Sequence, residues 1–139
     1  MKRILFFILL FTSSSMAVAS GWEISTVSDN GDVNTINTDK IKRIKTSFPS
    51  TSPVISGWVK TTFNNRDDNI VSKLDEYYIK CKEDEFIKNS SYLYRVDGTV
   101  AYSITNEVRN VDITKFQPVL PDTYGEIWFK DICNFSGIK

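Results

Sequence analysis

Apolar and polar residues alternate along much of this chain, which is the pattern of half-buried β-strands. The segment 74–81, LDEYYIKC, shows it clearly, with successive side chains pointing to opposite faces. One face carries Asp75, Tyr77, Ile79 and Cys81. We take that face as the one that packs on the core.

The strands are separated by short segments rich in turn-forming residues. Asn30-Gly31 and Asp97-Gly98 predict tight turns, because both pairs accept positive φ. In the segment between Cys81 and the Asp97-Gly98 turn, we expect Phe86, Tyr92 and Tyr94 to lie on one buried face of a strand. The pattern up to residue 108 therefore predicts a meander of antiparallel strands.

The period changes near the C-terminus, where apolar residues recur at helical spacing in PDTYGEIWFKDIC, residues 121–133. Thr123 and Glu126 match a capping box, which predicts that a helix begins there. Cys133 falls near the helix end, one position after the apolar Ile132. The predicted fold class is α+β, an antiparallel sheet with one C-terminal helix.

The N-terminus has the features of a secretory signal peptide: two basic residues, an apolar run over residues 4–11, and an A-x-A arrangement at residues 17–19. A membrane anchor is the alternative, but the apolar run is shorter than the roughly 20 residues that span a bilayer. We predict a cleaved signal at 1–19 and a single domain at 20–139. No cysteine follows the cleavage site, so we do not expect the protein to be a lipoprotein. We expect it to be located in the periplasm or outside the cell.

The two cysteines, Cys81 and Cys133, predict a disulfide in an exported domain. The alternative is a pair of free buried thiols. The bond would pin the helix to one sheet face and stabilise the fold by roughly 3–4 kcal/mol in the chain-entropy model. Two sulfurs without any histidine do not complete a zinc shell, so we expect no metal and no cofactor.

Charge gives one candidate surface. Removal of the signal leaves 15 basic against 17 acidic residues, a balance that does not favour nucleic-acid binding. Four basic residues lie close together in the sequence after residue 39 and are called here the basic cluster. This cluster is a candidate patch for an anionic partner such as a sulfated glycan, with an ordinary charged surface as the alternative. The cluster comprises Lys40, Lys42, Arg43 and Lys45.

No catalytic residue is predicted. Without histidine, neither a Ser-His nor a Cys-His arrangement can form. The adjacent carboxylates Asp67 and Asp68, and the run of acids at 83–85, fall in predicted turns that offer no cleft. We therefore predict a protein that is not an enzyme.

Several segments together resemble the bacterial surface-adhesin protein E family between Trp22 and Cys133. They are Trp22 itself, NTDKIKRI, GWVKTTF, SKLDEYYIKC and PDTYGEIWFKDIC, in this order and spacing. The resemblance implies an antiparallel sheet with a C-terminal helix held by the disulfide. It also implies binding of host extracellular-matrix and serum proteins such as vitronectin and laminin. The lipid-attachment cysteine of the named adhesin is absent here.

The expected function is that of an exported adhesin-like binding protein. The alternative is a soluble periplasmic accessory or structural protein that binds a partner in the cell envelope. Both predict a protein partner, with sheet-edge strand addition as one mode. A homodimer is compatible with either function.

Overall fold

The computed structural model describes residues 21–45, 52–65, 69–106 and 115–138. The expected signal peptide and the Asp67-Asp68 pair lie outside these ranges. Within them, no helix combines the length and the apolar character needed to cross a membrane.

In the described part of the chain, eight strands form one antiparallel sheet, which confirms the predicted meander. They are β1 (Trp22–Val27), β2 (Val33–Asn37), β3 (Lys42–Ile44), β4 (Val54–Thr62), β5 (Ile70–Lys80), β6 (Glu85–Arg95), β7 (Val100–Thr105) and β8 (Gln117–Pro118). The order across the sheet is β1-β2-β4-β5-β6-β7. Strands β2 and β3 pair with successive parts of β4, and β7 and β8 pair with successive parts of β6.

Both predicted turns join neighbouring strands. Gly31 has φ 87° in the turn between β1 and β2, and its N–H donates to the carbonyl of Ser28. Gly98 has φ 82° between β6 and β7, and its N–H donates to the carbonyl of Arg95. A residue with a Cβ is strained at such φ values, which explains the glycine at each position.

The helix α1 (Tyr124–Ser136) covers one face of the sheet, called here the helix face. Apolar side chains from the sheet and the helix form a single core between them. Its fully buried members include Ile36, Ile55, Ile79, Phe129 and Ile132. Tyr77 and Ile79 belong to this core, so the predicted inward face of β5 is confirmed.

The disulfide between Cys81 and Cys133 joins the end of β5 to the last turn of α1, as predicted. The helix begins as predicted too, because the Thr123 hydroxyl accepts a hydrogen bond from the Glu126 N–H at 3.2 Å. The Glu126 carboxylate accepts from the Asp122 N–H at 2.9 Å, one residue earlier than in a standard capping box. The first of these bonds satisfies an orphan N–H group in the first turn of the helix, and the second holds the residue just before the N-cap.

The expectation that Phe86, Tyr92 and Tyr94 share one face is wrong. Tyr77 pairs with Lys88 and Glu76 pairs with Ser90, so β6 has one extra residue, Asn89, at a β-bulge. The extra residue reverses the facing of the strand beyond it, because side chains alternate with a period of two. Phe86 therefore packs edge-on to Trp128 of the helix, whereas Tyr92 stacks on Trp58 on the opposite face.

Candidate binding surfaces

Asp75 is the centre of a buried polar cluster on the helix face. Its side chain is 3 % exposed. The Ser91 hydroxyl donates to Oδ1 at 2.6 Å, and the Tyr77 hydroxyl donates to Oδ2 at 3.0 Å. The Nζ atoms of Lys73 and Lys88 lie 3.1 and 3.2 Å from the same Oδ2.

The two ionisable groups at the centre of this cluster have shifted pKa values. Burial raises the pKa of Asp75, but the hydrogen bond from Ser91 and the charges of Lys73 and Lys88 outweigh it, so the pKa is lowered. Burial and the neighbouring Asp75 charge raise the pKa of Tyr77. The phenol thus stays a hydrogen-bond donor to a charged carboxylate. Because both carboxylate oxygens already have donors, the cluster stabilises the fold rather than offering a free base.

The four residues of the basic cluster predicted from the sequence are all exposed. Lys42 pairs with Ser56 and Arg43 pairs with Ile55, so their side chains point to opposite faces of the sheet. Lys42, Arg43 and Lys45 line a groove of about 330 Å³ together with Glu76. The carboxylate in this groove reduces the local positive potential.

Glu76 is held firmly in that groove. Its Oε1 accepts from Ser56 Oγ at 2.7 Å, and its Oε2 accepts from Asn89 Nδ2 at 2.7 Å and Ser90 Oγ at 3.2 Å. Burial, followed by the charge of Glu76, raises the pKa of the adjacent Tyr78 to about 12. Asn89 and Ser90, at the β6 bulge, therefore hold this carboxylate in place.

The sheet face opposite the helix, called here the open face, carries a separate groove of about 410 Å³. Trp22, Leu74 and Tyr94 form its apolar lining, and Lys60 and Arg95 supply its cations. Trp58 and Tyr92, whose ring centroids lie 6.3 Å apart, stack on the same face. Aromatic side chains in a groove with a few polar groups are typical of ligand sites.

Strand β7 forms an outer edge of the sheet. Within the described ranges, its one strand partner is β6. The sequence VAYSIT contains neither charge nor proline, and Val100, Tyr102 and Ile104 are 47 %, 54 % and 47 % exposed. Natural sheets usually protect an edge with charges, proline or a covering segment. An uncharged, apolar edge therefore marks a candidate protein-binding surface.

The edge also presents backbone N–H groups that have no strand partner among the described residues. The Asn106 N–H donates to the Asn89 carbonyl, and the Arg95 N–H donates to the Thr99 carbonyl, which shows which residues face each other across β6 and β7. Because hydrogen-bonding direction alternates along an antiparallel strand, the N–H groups of Ser103 and Thr105 point away from β6.

Two of these features escape prediction from the sequence. Asp75 lies on the predicted core face with Lys73 two residues before it, and a carboxylate at an inward position is the signal that could have found the cluster. The open-face groove joins residues from four separate strands, so no local spacing indicates it.

In the described part of the chain, His, Cys, Asp and Glu side chains form no group of three or more that could hold a metal ion.

Comparison of the chain with protein-family models, with curated proteins and with solved structures finds no match.

Proposed function

We propose that this chain is an exported, disulfide-bonded binding module that holds a protein partner by adding a strand to β7. The exposed, uncharged edge carries this proposal. In strand addition, main-chain hydrogen bonds supply affinity, and alternate side chains of the partner contact the flanking surfaces. Ser103 and Thr105 supply the outward N–H groups, and Tyr102 and Ile104 supply exposed apolar surface on one side.

The resemblance to the surface-adhesin protein E family supports a host extracellular-matrix or serum protein as the partner. Vitronectin and laminin are the first candidates because the family resemblance implies them. The disulfide supports export, since such bonds persist in oxidising compartments.

Binding to immobilised vitronectin and laminin tests this function, with the chain expressed with its own leader and purified after export. Ser103→Pro removes one outward N–H and leaves the pairing of β6 and β7 intact, because proline is tolerated at the solvent side of an edge strand. We expect affinity for the matrix protein to fall about tenfold or more. The matched Ser103→Ala variant keeps the N–H and should bind within about twofold of the unmodified chain.

A second variant guards against a folding defect in Ser103→Pro. Ile104→Lys places a charge on the exposed apolar edge, where a lysine is readily solvated. It should also weaken binding while the melting temperature stays unchanged. Absence of binding by the unmodified chain to either matrix protein, or equal binding by all three variants, contradicts the proposal.

The second candidate is a periplasmic accessory protein that offers the same edge to an envelope protein. The observation that favours it is the absence of a cysteine after the expected signal cleavage site at Ala19. Protease treatment of intact cells separates the two functions, with a tagged chain and a periplasmic control protein. Loss of the tag while the control survives supports the adhesin function. Protection of the tag until the outer membrane is broken supports the periplasmic function.

A further inference from the structure

We propose that the open-face groove binds an acidic saccharide, by stacking of sugar rings on Trp22 and Tyr94 and by pairing of carboxylate or sulfate groups with Lys60 and Arg95. This site is separate from the outward N–H groups of β7, so it goes beyond the proposed strand addition. It also differs from the basic cluster of β3, which shares no lining residue with it.

The shape and lining of the groove suit a short saccharide. Its volume of about 410 Å³ lies in the usual range of ligand sites. Trp22 is half-buried on β1 and Tyr94 is half-buried on β6, so each ring is held by the sheet while part of it remains accessible. Aromatic faces of this kind pack against the C–H faces of sugar rings. Leu74 adds a further apolar contact from β5.

The charges of the groove determine the sign of the ligand. In the described part of the chain, no carboxylate oxygen lies within 4 Å of Lys60 Nζ or of the Arg95 guanidinium. Among the described residues, Arg95 Nη1 makes two long hydrogen bonds, 3.4 Å each, to Thr99 Oγ1 and the Val100 carbonyl. Its remaining N–H donors are thus available for a bidentate contact with an anionic group. Two such cations beside aromatic rings favour an anionic saccharide over a neutral one.

The open-face groove has no acidic residue among its lining side chains, which makes it a better anion site than the basic cluster. The groove lined by Lys42, Arg43 and Lys45 contains the Glu76 carboxylate. The pKa of Asp97 is lowered first by the backbone and side-chain hydrogen bonds of Thr99, and the charge of Arg95 adds a smaller lowering. The positive potential of the open-face groove is therefore less compensated than that of the basic cluster.

The test uses a heparin-derived tetrasaccharide, with a neutral glucose tetrasaccharide and inorganic sulfate as comparison probes. The readout is the set of tryptophan indole N–H signals in a ¹H–¹⁵N NMR spectrum, assigned by Trp→Phe variants. We expect the heparin tetrasaccharide to shift the Trp22 signal and to leave that of Trp128 unchanged, because Trp128 is buried between the helix and the sheet. The neutral sugar and sulfate should each bind more weakly. The neutral sugar lacks the anionic groups that pair with the cations, and sulfate lacks the sugar rings that stack on the aromatic side chains.

Matched double variants separate the two basic surfaces. Lys60→Gln with Arg95→Gln should weaken tetrasaccharide binding about tenfold or more. Trp22→Ala should weaken it about fivefold. Lys42→Gln with Arg43→Gln removes the same charge elsewhere and should change the affinity less than about twofold.

A Trp22 signal that does not move on addition of the heparin tetrasaccharide overturns the proposal. Loss of tetrasaccharide binding in the Lys42→Gln, Arg43→Gln variant, with binding retained in the Lys60→Gln, Arg95→Gln variant, also overturns it. Equal binding of sulfate and the tetrasaccharide also overturns it, because sugar rings would then contribute nothing. The unchanged Trp128 signal verifies that each variant is folded. Ser103→Pro should retain tetrasaccharide binding, so this site and the β7 edge fail or succeed independently.

Discussion

Gly57 lies directly beneath Ile132 of the helix. A Cβ at position 57 would stand 2.8 Å from Ile132 Cδ1 and 2.9 Å from its Cγ2. Gly57 is buried on β4 and pairs with Tyr77, so the missing side chain is what allows the helix to approach the centre of the sheet. Close approach of another element is a common reason for glycine within a strand.

Gly57→Ala should therefore destabilise the protein by overpacking, by about 1–3 kcal/mol. The measurement is the free energy of unfolding in urea. Ile132→Val removes the Cδ1 atom that the new methyl group meets first, so the double variant should recover part of the loss relative to the sum of the single variants. Strict additivity of the two substitutions would contradict this contact.

The disulfide should make a large contribution to stability because it joins two residues that are 52 positions apart in the sequence. Replacement of Cys81 and Cys133 by alanine should lower the free energy of unfolding by about 3–4 kcal/mol. Treatment with a reducing agent should lower the melting temperature of the unmodified chain. The same agent should leave the double alanine variant unchanged, and a further decrease there would show an unrelated effect of the reductant.

The Asp75 cluster predicts a specific loss of stability in acid. The folded-state pKa of Asp75 is below its ordinary value of 3.8, so the unfolded chain takes up this proton first as the pH falls. Its stabilising contribution is complete above that ordinary value and is lost as the pH falls from there through the folded-state pKa.

Asp75→Asn should cost about 1–3 kcal/mol at neutral pH, because charge-assisted hydrogen bonds are lost. The difference from the unmodified chain should shrink in acid, where the natural carboxyl is also protonated. Urea unfolding at neutral pH and again below the folded-state pKa measures both quantities. Equal differences at the two pH values would exclude this role for Asp75.

Thr123 caps the helix through its hydroxyl, which accepts the Glu126 N–H. Thr123→Ala should destabilise the protein by about 1 kcal/mol. Thr123→Ser keeps the hydroxyl and is the matched control, with an expected change of only a few tenths of a kcal/mol. Thermal unfolding of both variants checks this, and equal losses in the two would exclude the hydrogen bond as the cause.

Much of the fold follows from local features of the sequence. The two cysteines of an exported domain predict the disulfide, and alternation over β5 and helical spacing after Pro121 correctly place its partners at a strand and near a helix end, because each pattern reports which side faces the core. The β6 bulge could not be predicted this way. Asn89 is a single inserted residue that becomes visible only through the register with β5, yet it moves Tyr92 to the open face.

The candidate binding surfaces are still harder to predict from the sequence, because they depend on the order in which the strands pair in the sheet. The exposed apolar residues of β7 alternate like those of any half-buried strand, so the sequence alone does not show that β7 lies at an edge. The open-face groove likewise brings Trp22 of β1 together with Tyr94 of β6, 72 positions apart in the sequence. Only the order of the strands places them on one surface.

The most direct test of partner binding is amide hydrogen exchange at Ser103 and Thr105, with and without saturating vitronectin. Strand addition predicts that both amides exchange much more slowly in the complex, because their outward N–H groups become hydrogen-bonded to the partner. A complex in which these two amides exchange as fast as in the free protein would contradict binding at the β7 edge.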